Sequence, residues 1–414
     1  MQQVIVIGGG VVGLTSAWWL LEAGFGVTLL EREPDLAAGA SYRNGGQLSY
    51  RYVAPFADQG VPLKALQWLF QKDGPLRFRP EADLRQWRWL LRFLAHCRAD
   101  INQKTTAKLL ELGELSRVSM QQLEMALPLD EFAWREAGKL VLYRSRKSFD
   151  AAVARPDSEG TGEVLSPAEC VQREPALADA QGVLAGGIFN SGEAVADCHA
   201  FCQALALRIK AHRLFRGIVH CEVRSLASSD GEVRGIDTSA GLMRADAYVL
   251  AAGIQSRSLA DSAGIYLPLY PIKGYSLSAP IRQGDRAPQV SVTDFERKVL
   301  YARIGDTLRV AAMADIVGED VSLDAGRIAG LTRQVRTMMP RAADYERVTT
   351  WAGLRPATPS SAPIIGATPL KNLWLNVGQG PLGFTFACGS ARILADVMSG
   401  KPAALAVDGL TLKA

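Results

Sequence analysis

MQQVIVIGGGVVGLTSAWWLLEAGFGVTLLERE, residues 1–33, decides the fold. Gln2 to Ile7 read as a short, almost wholly apolar strand of the kind buried on both faces of a parallel sheet. Gly8, Gly10 and Gly13 follow in the spacing G-x-G-x-x-G. Gly8 permits a tight turn, Gly10 lets a pyrophosphate approach the backbone, and Gly13 lets the next helix pack close to the strand. Leu14 to Ala23 read as that helix, with Ala17, Leu20 and Leu21 on its sheet side and Gly24 as its stop. A second apolar strand, Gly26 to Leu30, ends at Glu31, eighteen residues past Gly13. An acidic side chain at that distance accepts hydrogen bonds from an adenosine ribose. Strand, helix and acid together predict a dinucleotide-binding fold. The motif serves NAD and FAD alike.

Composition narrows the class. A chain of 414 residues suggests two or three domains with ample core for an independent enzyme. The net charge of +4 points neither to nucleic acid nor to a strongly acidic partner. Six cysteines (Cys97, Cys170, Cys198, Cys202, Cys221, Cys388) form no CxxC and no zinc spacing, so no metal site is expected. Cys198 and Cys202 lie four apart on an expected helix, where packing is the simplest reading, and reduced thiols fit a cytoplasmic protein. Because the first strand begins at the N-terminus, no signal peptide is expected. No apolar run reaches the ~18–20 residues that span a bilayer.

Along the chain, residues 41–60 (SYRNGGQLSYRYVAPFADQG) read as a long polar, aromatic loop leaving the nucleotide fold, a common place for function. A helix is expected over 103–125 and a strand over Lys139–Tyr143. Ser166-Pro167-Ala168-Glu169 spells a capping box, and Asp197 caps a helix over 198–211. IVHCEVRSL (218–226) and EVRGIDTS (232–239) read as the two strands of a hairpin. AYVLAAG (247–253) reads as a buried strand whose Ala252 and Gly253 turn close to the nucleotide. Further strands are expected over 266–280 and 296–313, and a helix over 324–339.

Near the end, Gly378-Gln379-Gly380-Pro381-Leu382-Gly383 matches G-x-G-x-x-G again. Too little chain follows for a second complete nucleotide fold. The local physics survives: backbone N–H groups and the positive end of a helix dipole favour negative charge there. A reduced flavin is anionic near N1 and O2. One nucleotide fold at the start and one anion-stabilising helix end at the finish suit FAD stretched between them.

The opening motif, YPIKGYSL (270–277), WAGLRPATPSSAPIIG (351–366) and LWLNVGQGPLGFTFACGSARILADVMSG (373–400) together resemble the D-amino-acid dehydrogenase family, relatives of glycine oxidase, sarcosine oxidase and D-amino-acid oxidase. NGGQLSYRYVAPFADQGVPLKALQWLFQ (44–71) resembles its bacterial dehydrogenase branch. The resemblance implies an α/β protein in which a doubly wound Rossmann-type FAD domain interleaves with an α+β substrate domain on a mixed sheet. The expected FAD segments are 1–55, 193–262 and 345–414; 56–192 and 263–344 are expected to bind substrate. It implies that Gly8, Gly10, Val11, Val12, Gly13, Glu31 and Arg32 hold the ADP half, with Val223 meeting the adenine through its backbone. Ser41 and the Asn44-Gly45-Gly46 turn are expected beside the flavin, and Gly380, Pro381, Leu382 and Gly383 over its pyrimidine end. Arg355 matches the arginine that clamps the substrate carboxylate, Tyr301 lies near the family's substrate tyrosine, and Gln47 and Tyr52 belong to the active-site loop. The family's Asp-Gly is replaced by Ser360-Ser361 here, and Arg43 and Arg51 add charge that either tunes substrate choice or is simply solvated.

Flavin oxidation of an amino acid asks mainly for orientation. With the substrate amine neutral, hydride leaves Cα for flavin N5 without an active-site base. A planar arginine fork suits the carboxylate through two parallel hydrogen bonds. The four histidines (His96, His199, His212, His220) lie outside every motif. Between Val61 and Arg98, Lys64, Lys72, Arg77, Arg79, Arg85, Arg88 and Arg92 interleave with Trp68, Phe70, Trp87, Trp89, Leu90, Leu91, Phe93 and Leu94. Such a surface suits either peripheral docking on anionic lipid at the inner face of the cell membrane or a subunit contact. The resemblance implies a D-amino acid substrate, with D-proline and 4-hydroxy-D-proline as candidates, and a respiratory quinone as acceptor. An amine oxidase that reduces O2 and an FAD-binding scaffold subunit of a hetero-oligomer are the competing readings.

Overall fold

The computed structural model describes residues 1–71, 73–154 and 162–412. Its first sheet has six strands in the order Ile364–Ala367, Leu373–Val377, Ala247–Leu250, Gln3–Ile7, Gly26–Glu31, Phe215–His220. The last five run parallel, and Ile364–Ala367 closes the edge antiparallel. The side chains of Gln3–Ile7 alternate between two cores. Val4 and Val6 face one with Leu14, Leu20 and Phe386, while Ile5 and Ile7 face the other with Leu30, Ile236 and Tyr248. A strand apolar on both faces is the signature of a covered parallel sheet, and that is where it sits.

The helices Val11–Glu22, Cys198–Ala211 and Gly383–Met398 cover the first face. Ala99–Glu124 lies in a segment assigned to the substrate domain, yet Leu109, Leu112, Met120 and Leu123 join this same core. It packs close enough on the last helix that a Cβ on Gly389 would come within 2.9 Å of Ser116 N. Both members of the Cys198–Cys202 pair are buried in that core, as packing requires.

The second sheet has nine strands. Its main order is Thr349–Ala357, Tyr270–Pro280, Thr307–Ile316, Val299–Ile304, Ser291–Asp294, Lys139–Tyr143, Gly186–Asn190, Glu163–Leu165, and Leu76–Phe78 pairs with the end of Thr307–Ile316. The helix Ala325–Met338 and a tyrosine-rich core cover one face. The other face looks toward the first sheet across a cavity. Two expectations shift here. Thr349–Ala357, placed by sequence with the FAD segments, is an edge strand of this second sheet. The stretch 218–226 is not one hairpin strand: Phe215–His220 runs parallel to Gly26–Glu31, and only Val223–Ser229 pairs with Glu232–Thr238. The Cys221 N–H bonds to the Glu31 carbonyl at 2.9 Å, which keeps the chain on the nucleotide sheet until the break. The capping box at Ser166 and the Asp197 cap form as expected.

Candidate active site

Between the two sheets lies one continuous cavity of about 2400 Å³. A typical small-molecule site occupies roughly 300–1,000 Å³. The space therefore suits an extended dinucleotide together with a substrate.

At one end the first glycine motif forms the wall. Gly8 has φ +114°, and a Cβ there would meet the Ala251 carbonyl oxygen at 2.5 Å. A Cβ on Gly13 would fall 1.8 Å from the Gly8 oxygen, so this glycine serves helix–strand contact behind the cavity wall. Gly10 differs, because its nearest neighbour would be Ser41 Oγ at 3.4 Å and its Cα faces the cavity with Val11 and Val12. Ser41 Oγ accepts from the Val11 N–H at 3.0 Å, which ties the following loop to the first helix end. Glu31 lines the cavity beside Arg32 and accepts from the N–H groups of Gly9 (2.6 Å) and Glu33 (3.0 Å). Val223, Ala252 and Gly253 complete this end. An acid at the strand end, an unblocked glycine and a helix start are the parts that an ADP moiety requires, and these residues fit FAD.

At the other end, Gly378 (φ +83°) and Gly380 (φ +54°) turn the chain from Leu373–Val377 into the helix Gly383–Met398. No side chain caps that helix, and Gly380, Pro381, Leu382 and Gly383 line the cavity. Its first N–H groups are an anion site in waiting. Behind them Gln379 Nε2 donates to Asn376 Oδ1 at 2.6 Å, and Asn376 Nδ2 donates to Ser16 Oγ at 2.9 Å. This buried chain ties the second glycine turn to the first helix.

Arg355 occupies the wall formed by the second sheet. Its strand pairs with Tyr270–Pro280, Ile272 opposite Arg355 and Gly274 opposite Gly353. Both glycines are needed for bulk. A Cβ on Gly274 would lie 2.2 Å from Arg355 Nη2, and one on Gly353 would lie 2.0 Å from the Trp351 ring. The guanidinium and the indole therefore lie over two bare backbone positions. Arg355 Nη1 donates to the Met313 carbonyl at 2.7 Å, and among the described residues Arg355 forms no ion pair. Burial lowers its pKa to about 10, opposed by the nearby Asp315 carboxylate, so the side chain is a cation at neutral pH. A half-buried cation facing a cavity without an acid partner calls for an anionic ligand.

The 44–52 segment crosses the middle. A Cβ on Gly45 would touch Ala311, and one on Gly46 would meet Ile304 at 2.3 Å, so the turn lies flat on the second sheet. Arg309 Nη1 donates to the Asn44 carbonyl at 3.0 Å. Gln47 and Tyr52 line the cavity. Ser361 stands at φ +66°, where glycine is at ease, and its Oγ accepts from the Phe56 N–H at 3.1 Å. The Ser360-Ser361 replacement thus leaves the turn intact and anchored. Of the two loop arginines, Arg43 lines the cavity and donates to Thr349 Oγ1 at 2.7 Å, whereas Arg51 is exposed.

Tyr301 is corrected. Residues 299 and 301 do share a strand face, but it is the face turned from the cavity. Tyr301 is 1% exposed among Tyr275, Val292 and Val310, and burial pushes its phenol far up; Leu300 faces the cavity instead. The basic 61–98 surface also changes meaning. Arg85 pairs with Asp261 at 2.7 Å, and Arg88 and Arg92 each stand 5.0 Å over the Tyr266 ring, so all three have partners within the chain. Lys72 lies outside the described residues. The apolar side chains do reach solvent. Leu63, Phe70, Leu84 and Leu91 are 72, 90, 86 and 68% exposed, and Val61–Leu69 has no buried residue.

Sequence reasoning missed Gly274, Trp351, Lys139 and Glu193. A glycine inside a strand signals a close approach, and that could have pointed to Gly274. Lys139, in KLVLY, looked like a strand end.

The chain matches the family of FAD dependent oxidoreductases over residues 3–397. It is 48% identical over 409 residues to D-amino acid dehydrogenase 2 of Pseudomonas aeruginosa, covering 99% of this chain and 98% of that protein. It is 44% identical to D-amino acid dehydrogenase 2 of Ralstonia nicotianae, with 98% of each covered. Its fold resembles that of glycine oxidase from Geobacillus kaustophilus, with a TM-score of 0.75 at 20% identity, covering 100% of this chain and 99% of that one. The chain therefore belongs to the FAD-dependent oxidoreductase family, beside the D-amino acid dehydrogenases it matches from end to end.

Proposed function

We propose that this FAD-dependent enzyme dehydrogenates D-amino acids and passes the electrons to a quinone at the membrane surface. The observation that carries the substrate half is Arg355, a half-buried cation over Gly274 that faces the cavity without an acid partner. Its fork takes the substrate carboxylate in a bidentate pair, and the pair fixes the Cα–H direction. Trp351, over Gly353, gives the carboxylate pocket an apolar flank. Bound FAD supplies the two-electron acceptor. The Gly380–Gly383 turn and the helix after it offer N–H donors to the negative charge that reduction brings. Gln47, Tyr52 and the Asn44–Gly46 turn form the floor beside these groups. No base is required of the chain when the amine arrives neutral. Relatives named D-amino acid dehydrogenase support the D configuration.

The acceptor half rests on the exposed apolar side chains of Val61–Leu69 and Leu84–His96. Among the described residues no helix is long and apolar enough to cross a membrane. A peripheral contact is the docking mode that remains for such helices. On this reading 1–55, 193–262 and most of 345–414 serve FAD together with the helix Ala99–Glu124, and the rest of 56–192 with 263–344 serves the substrate.

The test is anaerobic bleaching of the bound flavin against D- and L-amino acids, D-proline and 4-hydroxy-D-proline included. Rapid bleaching by D-amino acids, with slow re-oxidation by O2 and fast re-oxidation by a quinone analogue, is expected. Bleaching confined to glycine or sarcosine with stoichiometric peroxide would replace the proposal with an oxidase. No bleaching by any amine would leave a scaffold role.

A further inference from the structure

Lys139 is the first residue of a strand whose whole length is buried, and it is 2% exposed. Leu140 and Leu142 enter the tyrosine-rich core, whereas Lys139, Val141 and Tyr143 point to the cavity side. Burying an ammonium is costly unless hydrogen bonds replace its water. Two of these hydrogen bonds come from one segment. Lys139 Nζ donates to Gln47 Oε1 at 2.7 Å and to Ser49 Oγ at 2.7 Å, and it stands 4.5 Å from the centre of the Tyr52 ring. The same segment is gripped through its backbone by Glu193. That carboxylate is 1% exposed and accepts the N–H groups of Tyr50 at 2.7 Å and Arg51 at 2.9 Å.

The bond to Gln47 has a chemical consequence. A glutamine amide has an acceptor end and a donor end, and only its partners decide which faces a ligand. With Oε1 held by the ammonium, Nε2 is the donor end of an amide that lines the cavity, and it makes a long 3.5 Å contact with the Val292 carbonyl. The wall therefore offers a fixed N–H donor. We infer that Lys139 is a positioning residue that locks the Gln47 amide with its donor end toward acceptor atoms of the bound flavin. This rests on the placement of Gln47 beside FAD in the proposed function.

Lys139→Met, Gln47→Leu, their double variant and Gln47→Glu test it. Each apoprotein is titrated with FAD, its thermal midpoint is measured without FAD, and kcat and KM are measured separately. Lys139→Met should weaken FAD binding by about tenfold or more, as for loss of a hydrogen bond governed by a charged group. Gln47→Leu should match it, and the double variant should be no worse than either single one, as expected of residues acting as one unit. Gln47→Glu keeps the tether to Lys139 but removes the donor. It should melt no lower than wild type and still bind FAD poorly. FAD affinity within twofold of wild type in Gln47→Glu, or losses that multiply in the double variant, would overturn the inference. Should Lys139→Met fail to fold, Gln47→Glu alone decides. FAD titration needs no substrate, so an error in the D-amino acid assignment would leave this result readable.

Discussion

The guanidinium of Arg355 rests on the bare backbone of Gly274, on the neighbouring strand. A methyl group at residue 274 would stand 2.2 Å from Nη2 and 2.4 Å from Cζ. The far end of an arginine can swing away, so Gly274→Ala should fold and retain FAD. Its clamp should move by about an ångström, a displacement that costs about 10²-fold in rate. Wild-type kcat/KM in Gly274→Ala would show that Arg355 does not orient the substrate.

Removing the clamp outright should cost more. Arg355→Met should lose roughly 3–5 kcal/mol of transition-state stabilisation, the scale for truncating a buried charge contact. That is about 10²–10³-fold or more in kcat/KM. Arg355→Lys should be nearly as poor, since a point charge cannot reproduce the fork. A folded, FAD-loaded Arg355→Met enzyme with near-normal kcat/KM would move the carboxylate site to Arg43, a loop cation on the cavity wall.

Because burial lowers the Arg355 pKa to about 10, carboxylate binding should depend on pH at the alkaline end. The protonated form binds, and a bound carboxylate favours the proton. The Kd of a non-oxidisable carboxylate such as benzoate should hence be flat from neutrality upward and rise as pH passes the free-enzyme pKa. Flavin absorbance perturbation measures it. A Kd that stays level through that range would remove the cation from the account.

Lipid docking should depend on apolar side chains rather than on Arg85, Arg88 and Arg92, which have partners within the chain. Leu63, Phe70 and Leu84 are exposed and do not line the cavity. Each, fully inserted, would contribute roughly 1.5–3 kcal/mol. The triple Ser variant should lose vesicle co-sedimentation by about 10²-fold or more and keep its activity with a soluble dye. Failure of the wild type to co-sediment would assign the face to a subunit contact.

The FAD should be held without a covalent bond. Among the described residues no histidine lines the cavity, and its one cysteine, Cys221, lies at the Glu31 and Val223 end, away from Gly380. Acid precipitation should release the yellow chromophore. Colour retained in the pellet would contradict this.

What could be read from sequence followed from local periodicity and from motifs with a backbone rationale. Gly8, Gly10, Gly13 and Glu31 announce their roles because turn, helix and strand lie within thirty-odd residues of one another. Arg355 was found through a motif, but its support at Gly274 lies on another strand, and no local pattern encodes a cross-strand neighbour. Tyr301 failed for a related reason. Alternation pairs residues 299 and 301 on one face, yet only the packing of Ala325–Met338 decides which face is core. The same holds for Lys139, whose bonds to Gln47 and Ser49 and contact with Tyr52 reach a distant segment. The three arginines of Leu84–His96 read in sequence as part of a lipid-docking or subunit-contact surface because Asp261 and Tyr266 are far away along the chain.

The nucleotide sheet takes its strands from both ends of the chain, with Leu373–Val377 next to Ala247–Leu250 and only one strand from Gln3–Ile7. During synthesis, therefore, the first glycine motif emerges long before the strand and helix that close the cofactor's far side. At about 5–20 residues per second, the delay from Glu31 to Val377 is roughly 20–70 s. Through that interval the nascent chain has an ADP cradle but no flavin seat. We expect cofactor loading to be a late event that follows release of the C-terminal helix from the ribosome. Nascent chains stalled before residue 373 should fail to retain FAD, however much of the cradle has formed.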